Sequence, residues 1–360
     1  MKFLKIIDWY IIKKFLGTYI FTILLIIAVA VTLDVNTKID SFIKNSASTH
    51  AIVFDYYLNF IPYFVNAFSP LFVFIAVIYF TSKLADDSEI IAMLSSGLSF
   101  DRLVRPYMIA AAIIALSTLF LNSYVIPPGN IKRIEFENTY VRNKKMDYGR
   151  NIQFEVDPNV IAYFDQFDNF SSTGRGFSLD QFDGKELVSR LTAKSITWDS
   201  AYHWSIADYV IRDFVGMREK ITIGDKIDTT LTVVPADFMI SINDSEKMTT
   251  PQLKTYIDRQ KKRGIGNIQL FEIEYYKRYA MVFSAFILTI IGVSLSSRKI
   301  KGGMGLNIGI GFLLSFSYVL FMQISSSFAI SGIMSPLWAV WIPNILYSFI
   351  AAYLYKKAPR

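Results

Sequence analysis

Covalent chemistry needs a nucleophile, an acid–base pair or a metal, and few residues in this chain can supply one. There are two histidines, His50 and His203, far apart, and no cysteine. Without thiols there is no disulfide, no thiolate metal site and no cysteine nucleophile. Two separated histidines argue against a zinc site or a Ser-His-Asp relay. His203, in Tyr202-His203-Trp204, reads as a hairpin or strand residue. No G-x-x-x-x-G-K-[ST] phosphate loop occurs. The glycines Gly302, Gly303, Gly305, Gly309 and Gly311 are followed by no Lys-Ser/Thr pair. No catalytic residue, metal or cofactor is expected, nor any ATP hydrolysis by that route.

The charged groups that remain suit docking and anion contact. Ser82 to Pro106 is a short stretch, charged at both ends, between two long uncharged runs. Asp86, Asp87 and Glu89 crowd the start of a small helix, where exposed N–H groups favour negative charge. Ile90, Ile91, Met93, Leu94 and Leu98 give it an apolar side, Gly97 is placed to stop it and Ser99 to cap the next helix. Such a helix is a surface for a partner to push on, or a solvated loop helix resting on headgroups; the stretch alone favours the second. Lys38 and Lys44 sit beyond the first apolar run beside Asp34 and Asp40. They are either neutralised by those aspartates or meet an anionic group such as a phosphate. Gly305 and Gly309, with Gly311 and Ser315 offset, form either a static packing face or a movable helix at a lateral opening.

The elements that must position these groups are membrane helices. The 360 residues are 52% hydrophobic and only 19% charged, with 30 Phe and 21 Tyr, and the mean hydropathy is +0.35. Uncharged runs of span length cover Phe15–Leu33, Tyr56–Ser82, Pro106–Ile131 and Tyr279–Ser297. A longer run from Lys301 to Lys356 breaks at Ser331-Gly332-Ile333-Met334-Ser335-Pro336, which makes six spans. Lys2, Lys5, Lys13, Lys14, Lys83, Arg102, Arg105, Arg298, Lys299, Lys301, Lys356, Lys357 and Arg360 all fall on one side if both termini are cytoplasmic. The net charge of +7 is then mostly topology, and no nucleic-acid partner is expected. Ala28-Val29-Ala30 resembles a signal-peptidase site, but the apolar run extends past it, so the first span is expected to stay uncleaved.

Trp9 and Tyr10 suit an interfacial helix before span one, which is expected to end near Asp34. Pro62 and Pro70 allow span two to bend. Ile126-Pro127-Pro128-Gly129 should stop span three abruptly, with a charged helix over Asn130–Arg150 beyond it. From Asn151 to about Asp244 the pattern turns to period two, predicting seven or more short strands. Turns are expected at Asp157-Pro158-Asn159, Thr173-Gly174-Arg175-Gly176, Asp183-Gly184-Lys185 and Asp199-Ser200-Ala201. Helices follow over Lys247–Arg263, with Thr250 as cap and Gly264 as stop, and over Leu270–Arg278. The predicted fold is a six-span α-helical membrane protein with an inserted all-β, jellyroll-like periplasmic domain. Its parts are an N-terminal transmembrane half, 1–131, with the small helix at about 86–97; the β domain with flanking helices, 132–278; and a C-terminal transmembrane half, 279–360.

This arrangement resembles the LptF/LptG permeases of bacterial lipopolysaccharide export, over nearly the whole chain. Ser88-Glu89-x-x-x-Met93-x-Ser95-Ser96-Gly97 is similar to that family's coupling helix, S-E-x-x-x-x-x-A-x-G, with Ser95 in place of the usual Ala. Pro127-x-Gly129, Met248-Thr249-x-x-x-Leu253 and the glycine-rich start of span five after Arg298-Lys299 fall in matching order. Ile7-Asp8-Trp9-Tyr10-Ile11 is more similar to the LptG type than to LptF.

The resemblance implies a second LptF/LptG-type permease, a cytoplasmic LptB-like ABC ATPase dimer, LptC/LptA-like periplasmic jellyroll bridge proteins, and lipopolysaccharide as cargo. It implies ATPase coupling through Ser88, Glu89, Met93 and Gly97, headgroup contact at Lys38 and Lys44, and a lateral gate packing at Gly305 and Gly309. Two rivals stay open: an ATPase-coupled envelope transmitter or scaffold that moves no lipid, and a membrane-embedded lipid-modifying enzyme. The second is disfavoured by the missing acid–base pair.

Overall fold

The computed structural model describes residues 5–141, 148–168, 171–216, 218–235, 242–262, 268–298 and 303–358. Lys2, Arg263, Gly264, Lys299, Lys301, Gly302, Arg360 and part of the helix expected over Asn130–Arg150 lie outside the described residues. Among the described residues six helices are long and apolar enough to cross a membrane, as the uncharged runs predict. The chain divides into two compact units, Met1–Val141 with Glu246–Pro251 and Phe271–Arg360, and Arg142–Ser245 with Gln252–Leu270.

In the first unit, α1 (Ile6–Lys44) is one helix of 39 residues, not an interfacial helix and a span that ends at Asp34. At about 1.5 Å per residue it runs roughly 58 Å, twice the hydrocarbon thickness of roughly 30 Å. Nothing after Asp34 can break it: the stretch to Lys44 holds no Gly or Pro, and Asp34 pairs with Lys38 one turn on at 2.8 Å. A π-helical turn, Ala51–Tyr57, leads into α2 (Leu58–Ala67), which keeps Pro62 inside it. The chain breaks at Phe68, and α3 (Ser69–Asp86) begins with Pro70 in its first turn, where the missing N–H costs nothing. After the short α4 (Glu89–Ser95), α5 (Phe100–Phe120) continues through a π turn, Leu121–Val125, into α6 (Ile126–Phe136) and a further π turn, Glu137–Val141.

The stop expected at Pro127-Pro128 therefore does not occur. The π turn before them shifts the hydrogen-bond pattern, and the prolines fall in the first turn of α6.

In the second unit β1 (Tyr148–Asp157), β2 (Val160–Asp168), β3 (Thr173–Asp183), β4 (Glu186–Ser200), β5 (His203–Val215) and β6 (Arg218–Thr230) form one antiparallel sheet in sequential order. Six long strands replace the expected seven or more short ones. Thr173-Gly174-Arg175-Gly176 lies within β3, while the turn falls at Ser171-Ser172; the Asp199-Ser200-Ala201 turn moves to Ala201-Tyr202. The turns at Pro158-Asn159 and Gly184-Lys185 are where they were expected. Two apolar rows cross one face of the sheet. Ile152, Phe164, Phe177, Ala193 and Tyr209 stand opposite one another, as do Phe167, Gly174, Ile196, Ile206 and Ile227. The rows are an odd number of residues apart, so strict alternation would place them on opposite faces. Between them lie Gly176 and Asp208, both at positive φ, and this irregularity returns the second row to the same face. The core closes under Leu231 and Val233, with Trp204 Nε1 donating to Val233 O at 3.0 Å.

The chain continues through α7 (Ile242–Glu246), α8 (Thr250–Lys262), α9 (Gln269–Ser296), α10 (Gly303–Ile330) and α11 (Pro336–Lys357). The helical segment expected over Leu270–Arg278 leads into span four as the first part of α9. In the first unit α3 is shared by two cores. Val73, Val77, Phe80 and Leu84 pack with α1, α5 and Ile90 of α4, whereas Phe74 and Ile78 pack with α9, α10 and α11. The middle of α1 is bare: Phe21, Leu24, Leu25, Val29 and Leu33 are each more than half exposed.

Candidate functional site

The turn between α3 and α5 is built by backbone conformation. Asp86 belongs to the end of α3, not to the start of the small helix, which comprises Glu89–Ser95 alone. Ser88 takes a left-handed conformation (φ 60°) to reverse the chain. At the other end Gly97 has φ +86°, a conformation a side chain would strain. Gly97 N donates to Leu94 O and Leu98 N to Met93 O, which ends the helix. Ser99 Oγ accepts from Arg102 N at 3.3 Å and so caps α5 as expected. Ile90 is buried, and Met93, Leu94 and Leu98 pack on the core of α1, α3 and α5. Ser88, Ile91 and Gly97 are exposed.

Three polar contacts tie this turn to the helix ends around it. Tyr10 Oη donates to Glu89 Oε2 at 3.1 Å. Arg102 donates in a fork to Asp8, at 2.7 and 2.6 Å, the strongest geometry for such a pair. Tyr355 Oη donates to Asp101 Oδ1 at 2.5 Å. Glu89 is thus joined to the start of α1, and the turn's far side to the end of α11. Sequence patterns show the charges but not these partners, which lie 79, 94 and 254 residues apart.

At the opposite end of α1, Lys38 and Lys44 part company. Lys38 Nζ pairs with Asp34 at 2.8 Å and with Glu137 at 3.6 Å, and donates to Tyr56 Oη. Asp34 also accepts from Tyr56 and Tyr57. Lys44 is exposed, and among the described residues neither Asp40 nor any other carboxylate pairs with it. A buried belt missed by sequence reasoning adjoins Lys38. Arg133 donates to Glu137 at 3.3 Å and to Glu246 at 3.2 Å, and its guanidinium lies 4.1 Å over the Tyr63 ring. Arg278, 1% exposed, donates to Glu274 at 3.1 Å and to Thr250 at 3.0 Å, and Thr250 donates to Ser123. Burial and then the nearby Glu274 charge push the Glu246 carboxyl above its ordinary range, against the pull of Arg133. The i,i+4 pair Arg133/Glu137 beside an apolar run was the signal available for this belt.

The glycines of α10 also divide. A methyl at Gly311 would meet Ile78 Cδ1 of α3 at an impossible distance, whereas Gly305 and Gly309 are exposed, with none of the described residues within 4 Å of such a methyl. Gly311 therefore makes the tight packing inside this chain, and Gly305 and Gly309 present an open small-residue stripe. His50 stacks on Phe54 at 4.7 Å, and His203 lies exposed at the head of β5. Among the described residues no cluster of His, Asp and Glu could hold a metal.

No curated protein matches the chain. Residues 9–357 match the family described as lipopolysaccharide export system permease LptF/LptG. With six apolar helices, an antiparallel β insert and a match over almost its full length, this multi-pass membrane protein belongs to the LptF/LptG family of lipopolysaccharide export permeases.

Proposed function

We propose that this chain is the LptG-type permease subunit of an ABC transporter that extracts lipopolysaccharide from the inner membrane and hands it to a periplasmic bridge for outer-membrane delivery. Both termini and the Ser88–Gly97 turn face the cytoplasm in this reading, and the β domain faces the periplasm. An LptB-like ATPase dimer presses on the turn, a second LptF/LptG-type permease completes the cavity, and LptC/LptA-like proteins receive the lipid. The carrying observation is the way Glu89 is held. Its carboxylate is bonded to Tyr10 at the root of α1, while the exposed side of the same small helix, Ser88 and Ile91, is left for a partner.

The physics supports this division of labour. Leaving a bilayer costs about 0.8 kcal/mol per exposed CH₂, so a lipid with several acyl chains needs both an apolar route and an external energy source. The bare apolar middle of α1 fits the wall of such a route. The open stripe at Gly305 and Gly309 suits a close, sliding contact with the partner permease at a lateral gate. Lys44, exposed and unpaired among the described residues, is the better placed of the two lysines to meet a lipid phosphate. Lys38 reaches one only by exchanging its bond to Asp34 or Glu137.

Purification in mild detergent followed by mass spectrometry tests the proposal. Co-purification of lipopolysaccharide with an ABC ATPase supports export. An ATPase without lipid supports a transmitter, and turnover of lipid without an ATPase supports an enzyme.

A further inference from the structure

The two cores of the membrane unit meet along α3, with Val293 of α9 and Tyr355 of α11 also reaching the α1, α3 and α5 side. A crevice of about 990 Å³ runs between α5, α9 and α11. Its walls are apolar: Met108 and Ile109 of α5, Ile287 and Ile290 of α9, and Ala352 of α11. At one end it is basic. Lys5, Arg102 and Arg105 line that mouth together with Asp101. Two of these charges are already engaged, since Arg102 is forked onto Asp8 and Asp101 accepts from Tyr355. Lys5 and Arg105 are exposed, and none of the described residues forms an ion pair with either. Tyr355 also lines the crevice from the α11 side, its ring tilted against Phe100 with centroids 5.5 Å apart.

An apolar cleft between spans with a net cationic mouth suits a phosphodiester anion above two acyl chains. Basic pockets between membrane helices recognise anionic lipid headgroups in this way. We propose that the crevice is a binding site for one acidic glycerophospholipid. Its phosphate is held by Arg105 and Lys5, and its chains lie against Ile109, Ile287 and Ile290. The occupant fills the space between α5 and the α9 and α11 pair, adding to the contact that Tyr355 makes with Asp101 and Phe100. This site is separate from the bare face of α1 and from the stripe at Gly305 and Gly309, and it does not depend on the export reading.

The test uses the full-length protein, stripped of lipid in detergent and titrated with dioleoyl phosphatidylglycerol or dioleoyl phosphatidylethanolamine under native mass spectrometry. One phosphatidylglycerol should be retained about fivefold more tightly than phosphatidylethanolamine, the worth of one basic side chain at a membrane surface. Arg105→Gln should remove that preference, and Ala352→Trp, which fills the crevice, should remove retention of both lipids. A diazirine-bearing phosphatidylglycerol should label peptides containing Ile109 and Ile290 in the unmodified protein, so the outcome does not hang on either variant folding. Equal retention of the two lipids, labelling confined to other helices, or displacement of the label by lipopolysaccharide but not by phosphatidylglycerol would overturn the assignment.

Discussion

The phenol of Tyr10 donates a hydrogen bond to the carboxylate of Glu89 at 3.1 Å, joining the first helix to a seven-residue helix 79 positions along the chain. The contact ties the small helix to the root of α1. In the proposed function it is a route by which a push on one would reach the other. Tyr10→Phe deletes the bond and little else. We expect it to lower stability by about 1 kcal/mol, and the double variant with Glu89→Gln to show that the two effects are not additive. Thermal unfolding of the four proteins in detergent measures this. Strict additivity would mean that the contact transmits nothing.

Close packing of α10 on α3 depends on the absence of a side chain at Gly311, where Ile78 occupies the space. Gly311→Ala should destabilise the protein by about 1 kcal/mol, and Ile78→Val, which removes the offending Cδ1, should recover part of that loss. Gly305→Ala and Gly309→Ala meet nothing among the described residues and should hold or slightly raise the chain's own stability, since alanine favours a helix interior. If the partner permease docks there, the same two variants should weaken the pairing of the permeases, read by co-purification.

In the β unit Trp204 is 1% exposed and bonded to Val233. Trp204→Ala removes both the ring at the centre of the apolar face and the tie to the closing segment. A loss of about 3–5 kcal/mol follows for a large buried aromatic. It should appear as protease sensitivity at residues 148–235 while cleavage within α1 stays slow.

Glu246 supplies a pH dependence of known sign. Its carboxyl is raised in the folded protein, chiefly by burial and then by Glu274. A raised acid contributes stability that is full below its unfolded pKa and is lost as pH rises through the folded value. Stability should therefore decline above pH about 4.5, the carboxylate's ordinary range, and the decline should be shallower in Glu246→Gln. Unfolding midpoints between pH 4 and 8 check this; identical slopes would remove Glu246 as the source.

The spans and the β insert were legible in the sequence because charge-free length and period-two alternation are local signals. Ser99 and Gly97 were legible for the same reason, since capping and left-handed termination are decided within a few residues. The continuity of α1 past Asp34 was hidden because polar residues suggested an end, although none of them breaks a helix. Pro127 and Pro128 misled in the opposite sense, as a π turn placed them where proline is tolerated. The partners of Glu89, Arg102 and Arg133 could not be read at all. They come from helices brought together only by the tertiary fold, and no local pattern encodes which carboxylate a buried arginine meets.

In the proposed function, force enters this permease through the small helix at Glu89. Reconstitution with the proposed partner permease and ATPase in proteoliposomes compares Glu89→Ala with the unaltered chain. The expected result is a folded, membrane-inserted variant whose ATPase association or lipopolysaccharide release is lost. Unchanged association and release in that variant would contradict it.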